Sequence, residues 1–149
     1  MTQTPRTGGC RCGQVRFEIT APPILTMACH CRGCQRMTGG PYSLSMAVPP
    51  AGFAVTQGEP VIGGVGVPPI HFHCPHCLSW LFTRPQGAPF VNVRTPMLDD
   101  PSRLEPFLET YASTAFPWAK TGAPHSFDEF PPMEAYQALT EAFAATRGG

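Results

Sequence analysis

Seven cysteines divide without remainder among three short clusters, Cys10-x-Cys12, Cys29-x-Cys31-x-x-Cys34 and Cys74-x-x-Cys77, and this limits what the chain can fold into more than any other feature. Cysteines buried as small hydrophobes have no reason to cluster, and an odd number cannot all pair as disulfides. Clustered thiols in a reducing compartment point to metal. Zinc in structural sites is tetrahedral, with Zn–S bonds of about 2.3 Å, and a C-x-x-C turn puts two thiolates on one ion with little loop to order. Cys74-Pro75-His76-Cys77 is such a turn, and it needs two further ligands. Cys10 and Cys12 supply them, so Cys10, Cys12, Cys74 and Cys77 make a closed structural site.

The pairing leaves Cys29, Cys31 and Cys34, three thiolates within six residues, for a second zinc. Three protein ligands and an open fourth position form the arrangement of a catalytic zinc; the competing reading is a closed site completed by His73, His76 or His125. His30 adjoins two of the ligands but points away from them if Cys29 and Cys31 share a face. His71 and His73 share one face of an expected strand beside the C-x-x-C turn and read as strand-face or outer-sphere residues, not ligands. Arg32 and Arg36 flank the trio, where guanidinium forks can pair with the carboxylates of an anionic thiol substrate; solvated surface arginines are the plainer alternative.

Around these clusters the chain reads as one mostly-β domain over 1–149. Val15, Phe17 and Ile19 alternate with Arg16, Glu18 and Thr20, the pattern of a half-buried strand. Further strands are expected at 24–28, 42–48 (with Tyr42, Leu44, Met46 and Val48 on one face), 53–55, 61–67, 70–72, 78–82, 90–93 and 108–111, between turn clusters rich in the 19 prolines and 15 glycines. Met133, Tyr136, Leu139 and Phe143 recur at helical spacing and predict a C-terminal helix over about 133–146. Ten basic and ten acidic residues cancel, so no general field draws in nucleic acid or a membrane surface. The N-terminal stretch is polar, without the apolar core of a leader, and no run approaches a membrane span, so a cytoplasmic protein is expected.

Gly9-Cys10-Arg11-Cys12-Gly13-Gln14-Val15-Arg16-Phe17, Cys29-His30-Cys31-Arg32-Gly33-Cys34-Gln35 and Phe72-His73-Cys74-Pro75-His76-Cys77, in this order and spacing, closely resemble the glutathione-dependent formaldehyde-activating (GFA) family, which includes the centromere-protein-V-like proteins. Phe116-Pro117-Trp118 is similar to the family's C-terminal half. The resemblance implies a tent-like, zinc-bound β-sheet domain with the same two-site pairing, the second site open to partial occupancy. It also implies a carbon–sulfur lyase activity: reversible addition of a thiol such as glutathione to formaldehyde or a related small aldehyde. A non-catalytic zinc module presenting its surface to a protein partner is the alternative. One departure is Leu78, where family members carry glycine; if the position needs a left-handed backbone, leucine costs roughly 1–2 kcal/mol. A structural zinc contributing on the order of 10 kcal/mol absorbs that cost.

Overall fold

The computed structural model describes residues 4–147. In chain order its elements are β1 (Arg6–Gly9), β2 (Arg16–Ile19), β3 (Leu25–Cys29), α1 (Arg32–Thr38), β4 (Ser43–Val48), β5 (Phe53–Gln57), β6 (Val61–Gly63), β7 (Ile70–His73), β8 (Trp80–Arg84), β9 (Val91–Arg94), β10 (Leu108–Thr110), β11 (His125–Ser126) and α2 (Tyr136–Arg147). The fold is mostly β. The chain gathers into two compact units, one built from the residues up to Pro23 with Met46–Leu104, the other from Ile24–Ser45 with the residues from Glu105 on. No helix among the described residues is long and apolar enough to cross a membrane.

In the first unit, β1, β2 and β5 form an antiparallel three-stranded sheet, and β9, β8, β7 and β6 follow one another in a second sheet. The alternation read in β2 holds: Val15, Phe17 and Ile19 are each 1% exposed and pack with Met46, Val48, Leu81, Val91 and Val93. Cys10 and Cys74 belong to the same core, so two ligands of the first cysteine cluster are anchored in the core of this unit.

Three strand expectations need correction. β4 does not alternate, because Ser43, Ser45 and Ala47 are buried along with Met46 and Val48 while Leu44 is only half-buried. Such a strand is covered on both faces, and its period-2 signal disappears. β6 stops at Gly63 instead of running to Val67, because Gly64 and Gly66 take positive φ of 71° and 72° and turn the chain, leaving Val65 and Val67 exposed. β8 begins at Trp80, not at Leu78, which is 69% exposed with φ 61°.

In the second unit, β10 lies parallel between β3 and β11. Leu139 and Phe143 of α2 pack on Leu25 of β3 and Leu108 of β10, with Tyr136 alongside. The apolar stripe is shorter than expected at its start: Met133 sits in a 3-10 turn ahead of α2 and is 83% exposed. α1 has no counterpart among the expected elements. Cys31 caps its start by accepting from the Cys34 N–H, and Gly39, at φ 69°, closes its end with its N–H on the Gln35 carbonyl.

Candidate metal centres

The turn between β7 and β8 carries Cys74 and Cys77, and the turn between β1 and β2 carries Cys10 and Cys12. The four Sγ atoms all lie within 4.8 Å of one another. Cys10 and Cys12 are 3.5 Å apart and Cys12 and Cys74 3.7 Å, close to the edge of about 3.8 Å that a tetrahedron of sulfurs at 2.3 Å from a zinc ion requires. The backbone is already arranged for thiolates: the Val15 N–H points at Cys10 Sγ (3.3 Å), and the N–H groups of His76 and Cys77 converge on Cys74 Sγ (3.4 and 3.5 Å). The Ser79 hydroxyl, 3.2 Å from Cys77 Sγ, is the main reason that the Cys77 pKa falls to about 5. Cys12 goes the other way. The Gln14 N–H favours its thiolate, but lost solvation and the sulfurs around it push it up to about 12. One group releases its proton at the expense of its neighbour, so only a cation can hold all four ionised. A zinc ion fits this donor set. Cys74 N–H bonds the Ser79 carbonyl and Leu78 N–H the Cys74 carbonyl, which folds the turn tightly enough to force Leu78 left-handed.

The second cluster lies in the second unit, where β3 ends at Cys29 and α1 begins after Cys31. Cys29, Cys31 and Cys34 bring their sulfurs within 4.8 Å of one another, all half-buried, and none forms a disulfide. The Cys29 and Cys34 thiols hold Cys31 down to about 2, while Cys31 raises Cys29, and Cys29 and then Cys31 raise Cys34. Full ionisation of the trio again needs a positive ion. The buried hydroxyls of Thr110 and Ser43 lie beside Cys29 and Cys34 and ease their ionisation. Among the described residues no histidine or carboxylate joins the trio.

The histidines have other work. His30 is fully buried and, as the strand pattern requires, turned from the sulfurs: its Nε2 lies 3.0 Å from Glu109 Oε1 and its ring meets Tyr42 edge-on. The same Glu109 oxygen accepts from the Thr121 N–H (2.9 Å) and hydroxyl (2.7 Å). Burial alone raises the Glu109 pKa, but the Thr121 donors, His30 and Ser126 outweigh it and hold the group at about 2. The His30 backbone is also tied down: its N–H donates to Thr110 O, and its carbonyl accepts from Gln35 Nε2 and Thr114 Oγ1. Sequence reasoning missed this network, although it fixes the residue between two ligands. His71 and His73 are strand-face residues: His71 bonds the Thr83 hydroxyl and meets Trp80 edge-on, and His73 lies parallel to the same indole. His125 packs on Phe107.

Arg32 and Arg36, one turn apart on α1, line a cleft of about 440 Å³ together with Gln35, Phe116 and Trp118. Arg32 donates to Gln35 Oε1 at 2.6 Å. Neither arginine forms an ion pair among the described residues.

A family model described as glutathione-dependent formaldehyde-activating enzyme matches residues 5–114, which include all seven cysteines. A crystal structure of a Rhodobacter sphaeroides protein shares the fold, with a TM-score of 0.50 and 19% identity over 62% of this chain and 87% of its own. None of the curated proteins compared matches the chain.

Proposed function

The chain belongs to the glutathione-dependent formaldehyde-activating family, and on that premise we propose that it is a zinc-dependent enzyme of the carbon–sulfur lyase type. It adds a thiol such as glutathione reversibly to formaldehyde or a related small aldehyde. The observation that carries the proposal is the contrast between the two cysteine clusters: four sulfurs fit a closed site, whereas three sulfurs with no further protein ligand among the described residues leave one position for a substrate.

In this reading Cys10, Cys12, Cys74 and Cys77 hold the structural zinc, and Cys29, Cys31 and Cys34 hold the second. Zinc held by the trio supplies the charge that keeps an incoming thiol ionised at neutral pH, where a free thiol with a pKa of about 8.5 is mostly protonated. The Cys34 N–H donates to Cys31 Sγ, the buried hydroxyls of Thr110 and Ser43 favour the thiolates of Cys29 and Cys34, and the His30–Glu109 pair fixes the backbone between Cys29 and Cys31. Arg32 and Arg36 present positive charge to the carboxylates of the thiol substrate. In the forward direction a sulfur–carbon bond forms at the carbonyl carbon, the carbonyl π pair moves to oxygen, and that oxygen takes a proton from water. The reverse path breaks the C–S bond and returns thiol and aldehyde.

Carbon-13 formaldehyde mixed with glutathione tests this, because exchange NMR reads the rate at which hydrated formaldehyde and the S-hydroxymethyl adduct interconvert. Zinc-loaded protein should accelerate the exchange and Cys31→Ser should abolish the acceleration. An uncatalysed rate with fully loaded protein contradicts the proposal.

A further inference from the structure

Phe116 and Trp118 form an aromatic stack outside either core. Their rings lie 5.4 Å apart and 4° from parallel, and Trp118 is nevertheless 76% exposed. An indole held by a neighbouring ring and still open to solvent is a large apolar surface that a partner can cover. It lines the same cleft as Arg32 and Arg36, whose volume of about 440 Å³ falls in the range of small-ligand sites.

The positive side of the cleft is built in advance. Gln35 is 5% exposed, with its Nε2 donating to the carbonyls of His30 (2.9 Å) and Thr114 (3.1 Å). Its Oε1 then accepts from Arg32 Nη1 and leaves the remaining Arg32 donors for a ligand. With no ion pair to either guanidinium among the described residues, two positive charges stand beside an aromatic platform. Arginine forks bind carboxylates in their plane, and aromatic faces receive flat groups, so the two halves together select an anion attached to a flat π-system. The cleft adjoins the trio through Gln35, which lines the cleft and donates to the carbonyl of His30, the residue between Cys29 and Cys31.

We propose that this cleft binds the carboxylate tail of the thiol substrate, and that the tail carries a planar group, an aryl ring or an amide, next to its carboxylate. The assignment rests on the thiol-adding reading above and narrows it to a substrate class. Simple aliphatic acids lack the flat group and uncharged aromatics lack the anion, so both bind more weakly.

Hippurate, a benzoyl amide with an adjacent carboxylate and no thiol, is the probe, titrated calorimetrically into zinc-loaded protein. The chain has two tryptophans. In a nitrogen-15 spectrum the indole signal of exposed Trp118 should therefore shift with hippurate while that of buried Trp80 stays in place. Arg36→Ala and Trp118→Ala should each weaken hippurate about tenfold, and acetate and benzyl alcohol should bind at least about tenfold less tightly than hippurate. Both positions are exposed, and retained zinc content verifies that the variants are folded. Absence of hippurate binding, undiminished binding in both variants, or equal affinity for benzyl alcohol would overturn the assignment. Because hippurate carries no thiol, such a failure removes the cleft and leaves the thiol chemistry of the trio to be judged by formaldehyde exchange.

Discussion

Replacing Glu109 by glutamine keeps the shape of a buried side chain and removes its charge. Its Oε1 accepts three hydrogen bonds, from His30 Nε2, Thr121 N and Thr121 Oγ1, and a glutamine oxygen in the same place can still accept all three. What is lost is charge assistance, about 1 kcal/mol per bond, which predicts a loss of about 3 kcal/mol. The same hydrogen bonds hold the carboxyl pKa at about 2 instead of the ordinary 4.5, which is on the order of 3 kcal/mol of stability at neutral pH. The sign follows from the depressed pKa. The contribution is fully present above about 4.5 and is lost as pH falls toward 2, so the difference between wild type and Glu109→Gln should be constant above about pH 5 and narrow below it. Urea unfolding of both proteins across that range reads it, with zinc content measured alongside, because His30 sits between two ligands. A gap under about 1 kcal/mol at pH 7, or one that does not change with pH, would refute the reasoning.

Cys74→Ser should unfold or aggregate the chain, because Cys74 lies in the core and the binding energy of its zinc is part of the folding energy; a soluble, cooperatively melting variant without metal would contradict this. Cys31→Ser should keep the wild-type circular dichroism and about one zinc while losing thiol binding, since a hydroxyl is a poor substitute for a soft thiolate; a collapse as severe as that of Cys74→Ser would make both sites structural. Leu78→Gly relieves the left-handed leucine, worth roughly 1–2 kcal/mol, but gives part of that back as unfolded-state entropy, so it should stabilise by up to about 1 kcal/mol. Thermal melts read the change, and a net loss greater than about 1 kcal/mol would mean that the exposed leucine packs where the structure leaves it in solvent.

The metal clusters were legible because ligand spacing is local: a C-x-x-C turn or three cysteines in six residues declares itself without knowledge of the fold. So was β2, whose one buried face leaves the alternation of Val15, Phe17 and Ile19 intact. β4 was misread because burial on both faces erases that alternation. α1 escaped notice because a seven-residue helix carrying ligands and arginines has no apolar stripe, although Gly39 in its C-terminal cap was a usable signal. The supports of the site were hidden for another reason. His30 finds Glu109 across 79 residues and Gln35 finds the Thr114 carbonyl across the same separation, and only the parallel pairing of β3 with β10 brings those segments together. The Phe116–Trp118 stack could be noted as a motif, but nothing in the letters says that a tryptophan will remain three-quarters exposed.

The central claim is that one cluster is closed and the other has room for a thiol. Cobalt substituted for zinc makes that difference visible, because sulfur-to-cobalt charge transfer and the d–d bands report how many thiolates each ion holds. Two cobalt ions per chain are expected, one with a four-sulfur spectrum unaffected by glutathione and one that gains a thiolate band saturably as glutathione is added, with the second response absent in Cys31→Ser. A spectrum that glutathione leaves unchanged at full cobalt loading would show that both sites are closed and would contradict the account.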